Sequence, residues 1–189
     1  MFEALLSKIA RSLGGAELPY MIIGGQAVLL YGTPRLTRDI DITLGVNVDE
    51  LGGVLKAVKD MGLDVLPRDA KPFVEKTFVL PARESTTGIR IDFIFSFTPY
   101  EKQAIARAKP VFFGDTAVMF ASVEDVLIHK IFAGRPRDLE DAVAILIKNP
   151  AVDRGYILTW LREFDRTMDT HDFTDRFAEL CDQSGCDGP

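Results

Sequence analysis

Two short segments that alternate apolar and polar side chains constrain the fold of this 189-residue chain most strongly. In Arg38–Leu44, three aliphatic residues lie on one side, while Asp39 and Asp41 lie on the other. Ile89–Phe95 repeats this alternation, with Asp92 among the polar positions. Because successive side chains of a strand point to opposite faces, each segment predicts a β-strand with one buried face.

The three aspartates predict a metal site if the two strands are adjacent. Asp39 and Asp41 leave the same face of their strand, and Asp92 would then lie beside them. Carboxylates at such distances raise one another's pKa unless a cation neutralises them. Mg²⁺ or Mn²⁺ suits the site, since Mg²⁺ prefers oxygen ligands and shares its shell with substrate phosphates. An isolated Asp-x-Asp is more often structural, but the second strand with a central aspartate favours a catalytic metal site.

The glycine pair Gly24-Gly25 joins a short apolar strand, Pro19–Ile23, to a predicted helix at Gln26–Tyr31. Without a Cβ atom, the backbone can approach a ligand closely and adopt positive φ. The free N–H groups at the start of the following helix favour phosphate. A lone Gly-Gly is usually only a tight turn. The nearby carboxylates favour nucleotide binding at Gly24 and Gly25.

The patterns along the chain predict an α+β fold, with a mixed β-sheet flanked by helices and a helical C-terminal region. We expect a core at residues 1–115 and helices packed on it at residues 116–189. In the core, Leu63–Leu66 and Glu75–Leu80 favour strands separated by a polar loop. Ser122 with Asp125 resembles a capping box that opens the first C-terminal helix.

Composition and charge limit the classes of protein that the chain can represent. With 47% hydrophobic and 26% charged residues, the chain can bury a core and is not disordered by composition. Its net charge of −6 argues against a broad basic surface that coats nucleic acid, although a local basic pocket is compatible with it. Glu3, Lys8 and Arg11 interrupt the first apolar segment, so we expect no signal peptide, no membrane partner and a cytoplasmic location.

These motifs together resemble the nucleotidyltransferase superfamily related to DNA polymerase β. The resemblance covers about residues 19–95 and rests on I-I-G-G-Q-A-V-L-L-Y-G-T-P-R-L-T-R-D-I-D-I and the later I-R-I-D-F-I. It implies a nucleotidyltransferase core fold with catalytic, metal-binding Asp39, Asp41 and Asp92. One departure is Gly25, where many members carry a serine that holds a phosphate.

A second set of motifs is most similar to the AbiEii-type toxin and minimal nucleotidyltransferase group. It consists of Y-G-x-x-R-x-T-x-D-I-D, followed by K-I-F-A-G-R-P-R-D-L-E-D. The resemblance implies that Lys130 and Asp138 matter to the site. It also implies that the chain is a toxin of a toxin–antitoxin pair, with an antitoxin protein as a partner.

Basic residues near the motifs have two interpretations each. Arg35 either grips a phosphate or acceptor, for which a guanidinium is suited, or is structural. Lys130 is either an exposed helix lysine or a contact to phosphate or base, and we expect its helix to present it toward the phosphates. Asp138 and Asp141 share a helix face, where they either cap the break between helices at Gly134–Pro136 or orient Lys130.

The predicted reaction transfers a nucleoside monophosphate from an NTP to an acceptor hydroxyl and releases pyrophosphate. The metal held by Asp39 and Asp41 binds the triphosphate, and Asp92 bridges to a second metal or accepts the acceptor's proton. The acceptor is an RNA end, a protein side chain or a small hydroxylated molecule such as an aminoglycoside. A different interpretation is a non-catalytic nucleotide- or metal-binding module that acts through protein contacts.

Overall fold

The computed structural model describes residues 2–168 and 172–185, which form a mixed β-sheet and nine α-helices. The strands are β1 (Tyr20–Ile23), β2 (Asp39–Leu44), β3 (Leu63–Val65), β4 (Val79–Glu84), β5 (Arg90–Phe95), β6 (Lys109–Phe113) and β7 (Thr116–Phe120). The helices are α1 (Phe2–Gly15), α2 (Gly24–Tyr31), α3 (Leu51–Asp60), α4 (Ala70–Thr77), α5 (Pro99–Ala106), α6 (Val123–Ala133), α7 (Pro136–Lys148), α8 (Arg154–Thr167) and α9 (Phe173–Ser184).

The strands form one sheet in the order β3-β4-β5-β2-β1-β7-β6. β2 runs parallel to β5 and antiparallel to β1, which in turn pairs in parallel with β7. The remaining neighbours, β3 with β4, β4 with β5, and β6 with β7, are antiparallel. The predicted α+β class with a mixed sheet flanked by helices is confirmed.

The two alternating segments became adjacent central strands because each has an apolar face to bury. Ile40 and Ile42 of β2 and Ile91 and Phe93 of β5 are fully buried. The aspartates between them therefore emerge on the opposite face.

The chain folds into two compact units. Met1–Gln26 and Leu36–Ala121 form the first, which we call the sheet unit, and Ala27–Arg35 with Ser122–Pro189 form the second, the helical unit. The sheet unit includes Ala121, whereas we expected the core to end at residue 115, because β7 is a strand of the sheet that lies between β1 and β6.

The short segment Ala27–Arg35 belongs with the C-terminal helices, which the sequence pattern does not indicate. Lys148 Nζ donates a hydrogen bond of 2.7 Å to the carbonyl oxygen of Gly32. Asn149 Nδ2 donates another, of 2.8 Å, to the carbonyl of Tyr31. These contacts from the end of α7 satisfy carbonyls at the end of α2, which have no partner within their own helix.

Apolar side chains and a helix cap stabilise the helical unit. Leu127 and Ile131 of α6 and Ile145 of α7 are fully buried. Ser122 caps α6 as predicted, since its hydroxyl accepts a 3.2 Å hydrogen bond from the backbone N–H of Asp125. None of the helices within residues 2–168 and 172–185 combines the length and apolar composition that a membrane span requires.

One predicted strand is wrong. The first part of the strand expected at Glu75–Leu80 and most of the polar loop before it belong to α4, whose Val74 is fully buried. The chain leaves α4 at Phe78, which adopts a left-handed conformation with φ of 57°. Only then does β4 begin. Of the predicted strand, Glu75–Thr77 are helical because α4 buries Val74, and Val79 and Leu80 are in β4.

Candidate active site

The register of β2 and β5 places the predicted carboxylates next to one another. Asp41 lies directly opposite Asp92, and Asp39 lies directly opposite Arg90. Neighbouring strands lie about 4.8 Å apart, and residues in register share a face. The structure thus confirms that the two strands are adjacent and that Asp39, Asp41 and Asp92 lie on one face of the sheet.

Side chains nearby contact the carboxylates of Asp39 and Asp92. Thr37 Oγ1 donates a hydrogen bond of 2.9 Å to Asp39 Oδ1. Arg90 Nε lies 2.9 Å from Asp92 Oδ1 and 3.0 Å from Asp92 Oδ2. Within residues 2–168 and 172–185, no three His, Cys, Asp or Glu side chains are grouped to hold a metal ion. The convergence of all three carboxylates on a metal therefore stays a prediction.

Gly24 is required by the position of Asp41. Gly24 begins α2 with φ of +61°, a left-handed conformation that favours glycine. A Cβ at this position would overlap Asp41 Oδ2 and lie 2.8 Å from Asp41 Cγ. The Asp41 carboxylate therefore lies against the first residue of α2, in space that any other residue type would fill.

Gly25 makes room for Thr37, a residue that the sequence reasoning missed. A Cβ on Gly25 would overlap the Thr37 hydroxyl and lie 2.9 Å from Thr37 Cβ. A serine at this position would collide with Thr37, which explains why the chain carries glycine there. The available signal was the threonine two residues before Asp39, whose hydroxyl is within reach of that carboxylate.

The residues of this face fit a hard divalent cation in chemistry. Their donor atoms are carboxylate oxygens, the ligands that Mg²⁺ prefers. Asp39 is exposed, and Asp41 and Asp92 are half-buried, so the oxygens are within reach of a ligand. The space kept open by Gly24 brings Asp41 to the N-terminal end of α2, where phosphate binding is favoured.

The predicted site residues of the helical unit form a buried ion network. Lys130 is buried, and its ammonium lies 2.6 Å from Asp138 Oδ1 and 2.9 Å from Asp141 Oδ2. Arg35 reaches the same Asp141 carboxylate, with Nε 3.2 Å from Oδ1 and one terminal nitrogen 3.1 Å from Oδ2. We call Arg35, Lys130, Asp138 and Asp141 the buried network.

This network decides between some of the interpretations left open by the sequence. The exposed-lysine interpretation of Lys130 is wrong, and Asp138 and Asp141 do orient its ammonium. A contact of Lys130 or Arg35 with a phosphate stays a prediction. The ion pair between Arg35 and Asp141, 106 residues apart, was not foreseen.

Asp138 is charged in its environment in spite of its burial. Burial raises the pKa of Asp138, but the hydrogen bonds from Lys130 and Arg135, together with their positive charges, lower the pKa by more than burial raises it. The resulting pKa lies below the ordinary value of 3.8. The Asp138 carboxylate of the folded protein is therefore ionised near neutral pH.

Comparisons with known proteins agree with the motifs and the fold. The sequence matches the family model described as "Nucleotidyl transferase AbiEii toxin, Type IV TA system" over residues 5–180. No curated protein sequence matches it significantly.

Several solved structures are similar to this one. The antibiotic-resistance factor ANT(2'')-Ia has a TM-score of 0.60 and 16% identity, over 89% of this chain and 95% of its own. An antigenic nucleotidyltransferase-like protein from Paracoccidioides brasiliensis has a TM-score of 0.57 and 16% identity, over 94% and 91% of the two chains. A putative nucleotidyltransferase from H. pylori has a TM-score of 0.50 and 18% identity, over 97% and 91%. At these identities the similarity concerns the fold.

Proposed function

The chain belongs to the AbiEii nucleotidyltransferase family, and on this premise we propose that it transfers a nucleoside monophosphate from an NTP to an acceptor hydroxyl with release of pyrophosphate. The observation that carries this proposal is that Asp41 and Asp92 lie opposite each other on one face of the sheet. Gly24, which has no side chain, leaves room there for the Asp41 carboxylate at the start of α2. Carboxylates on the open face of a sheet beside a helix N-terminus suit the binding of a metal–triphosphate complex.

The three aspartates have different roles in this proposal. Asp39 and Asp41 would hold a divalent cation, Mg²⁺ or Mn²⁺, and Asp92 would complete the site on the neighbouring strand. A bound cation offsets the charge that develops on the phosphate oxygens. Asp92 accepts the proton of the acceptor hydroxyl as the new bond to phosphorus forms, or would hold a second divalent cation that lowers the pKa of that hydroxyl. Positioning and charge neutralisation supply most of the rate in such transfers.

Other residues support binding of the nucleotide. Gly24 and Gly25 leave room for Asp41 and Thr37 at the start of α2, where their backbone N–H groups are proposed to bind the triphosphate. Thr37 keeps Asp39 oriented through their hydrogen bond. Arg35 and Lys130 are proposed to contact phosphate groups. Both already balance the charges of Asp138 and Asp141, so a phosphate contact requires them to donate to the phosphate and to these carboxylates at the same time.

The acceptor is proposed to be an RNA end, a protein side chain or a small hydroxylated molecule. The family description supports a toxin role within a toxin–antitoxin pair, and we propose an antitoxin protein as a partner. The similarity in fold to an antibiotic-resistance factor keeps a small-molecule acceptor among the candidates. The non-catalytic module remains the rival function, against which the three intact aspartates argue.

Label transfer tests the proposal directly. The protein is incubated with each α-labelled NTP and Mg²⁺, in the presence of total RNA, total protein or hydroxylated small molecules. We expect label on one acceptor class, reduced on the order of a thousandfold or more in Asp41→Asn, because a metal ligand contributes several kcal/mol at the transition state. Asp64→Asn is the matched control, because Asp64 is an exposed aspartate on β3 of the same sheet. Mg²⁺-dependent NTP binding without transfer to any acceptor would favour the non-catalytic module.

A further inference from the structure

The contact between Arg90 and Asp92 has a consequence for metal binding. We propose that Arg90 is a positioning residue, which holds the Asp92 carboxylate while no divalent cation is bound and must release it before the cation can bind. The inference rests on the proposed function and adds a step to it. Asp92 then becomes available as a ligand or base only once the cation has replaced the guanidinium.

The geometry places the guanidinium where a cation would compete with it. Arg90 and Asp92 are two residues apart on β5, so their side chains leave the same face of the sheet. Arg90 Nε lies within 3.0 Å of both Asp92 oxygens. A guanidinium and a divalent cation repel each other, so they cannot share these two oxygens at close range.

The charges on neighbouring strands explain why this contact forms. Asp41 is directly opposite Asp92 in the register, and like charges in that position destabilise a sheet. Asp39 is directly opposite Arg90, so Arg90 has one carboxylate across from it and a second two residues along its own strand. Arg90 therefore lowers the repulsion that the site would otherwise carry without a metal.

The contact is weak enough to be reversed. The Arg90 side chain is 55% exposed, whereas that of Asp92 is 18% exposed. Because half of the guanidinium side chain is in solvent, it can leave Asp92 without disrupting buried packing. A pair this exposed shifts an equilibrium by about fivefold at most. This is enough to tune metal affinity and too little to prevent metal binding.

Mn²⁺ binding followed by electron paramagnetic resonance tests the inference without relying on activity. The variants are Arg90→Gln, which removes the charge, and Arg90→Lys, which keeps it. Arg83→Gln is the matched control, because Arg83 is exposed on β4 directly opposite Arg90, two register positions from Asp92. It removes the same charge from the same face of the sheet.

We expect Arg90→Gln to bind Mn²⁺ up to about fivefold more tightly than the wild type, and to melt at a lower temperature when metal is removed. Arg90→Lys should return both properties toward the wild type, and Arg83→Gln should stay within about twofold of it. Equal Mn²⁺ affinity in Arg90→Gln, Arg83→Gln and wild type would overturn this inference and leave the proposed function standing. Absence of Mn²⁺ binding in every protein, with and without NTP, would overturn the proposed function and the inference with it.

Discussion

The sheet unit and the helical unit each bring carboxylates and cationic side chains together, but they bury them to different extents. In the helical unit, the side chains of Lys130, Asp138 and Asp141 are only 8%, 8% and 9% exposed. In the sheet unit, Asp39 is exposed and the Arg90 side chain beside Asp92 is 55% exposed. The same chemical groups are therefore enclosed in one region and open to solvent in the other.

This difference in burial separates a structural arrangement of charges from one that can exchange ligands. A buried ion pair resists the loss of one partner, because the remaining charge has no water to solvate it. A pair near the surface contributes little and exchanges its partners readily. The buried network thus has the properties of a fixed support, whereas the sheet carboxylates are open to exchange with a ligand, as the proposed function requires.

Removal of Lys130 should have the largest effect on stability. Lys130→Met leaves Asp138 and Asp141 buried with less positive charge, and we expect the free energy of unfolding of the helical unit to fall by about 3–5 kcal/mol. Denaturant unfolding can be followed by the fluorescence of Trp160, the one tryptophan of the sequence, which lies in α8.

The control for this variant is an exposed ion pair in the same unit. Arg166→Gln removes a partner of Glu163, in a pair whose side chains are 74% and 42% exposed. We expect a change within about 0.5 kcal/mol. If Lys130→Met were as stable as Arg166→Gln, the proposed contrast between the two kinds of charge arrangement would be wrong.

A substitution at Gly24 should have an intermediate effect, and it acts on the sheet unit. Gly24→Ala adds a Cβ at positive φ in space occupied by the Asp41 carboxylate, so we expect a loss of about 1–3 kcal/mol together with a displaced Asp41. Thermal unfolding and label transfer measure the two effects. Gly15→Ala is the control, since its Cβ would meet no atom within 4 Å, and it should be neutral or slightly stabilising. Unchanged stability and activity in Gly24→Ala would show that the close approach of Asp41 is not needed.

The pH dependence of the helical unit should show the smallest effect. Because the pKa of Asp138 is lowered in the folded protein, its charge stabilises the fold above the ordinary pKa of 3.8, and this contribution is lost as the pH falls below that value. Asp138→Asn should therefore be less stable than the wild type near neutral pH, and the difference should shrink in acid. Trp160 fluorescence during thermal unfolding at several pH values measures this. A difference that stays constant down to about pH 3 would mean that the Asp138 charge is not what stabilises the network.

Local patterns in the sequence predicted the central features of the candidate site. A period of two residues identified β2 and β5 and placed their aspartates on the face opposite the buried aliphatic residues. The Gly24-Gly25 pair identified the strand-to-helix connection. These features depend on residues close together in the chain, so their geometry follows from backbone stereochemistry.

Features that depend on distant contacts were missed or misplaced. The ion pair between Arg35 and Asp141 and the grouping of Ala27–Arg35 with the C-terminal helices join residues far apart in sequence. Likewise, β7 belongs to the sheet unit because it pairs with β1, which is far from it in sequence. The contacts of Arg90 with Asp92 and of Thr37 with Asp39 depend on which rotamers their neighbours allow, and hydrophobic periodicity carries no information on that choice.

Calorimetric titration with NTP tests most directly whether the aspartates of the sheet form a metal-dependent nucleotide site. The titration compares the wild type with Mg²⁺, the wild type with EDTA, and Asp41→Ala with Mg²⁺. We predict that NTP binds to the wild type with Mg²⁺ and that binding is lost with EDTA and in Asp41→Ala, while Asp41→Ala stays folded, because the variant removes a metal ligand and also relieves repulsion among the carboxylates. Equal NTP affinity in all three titrations would contradict the account.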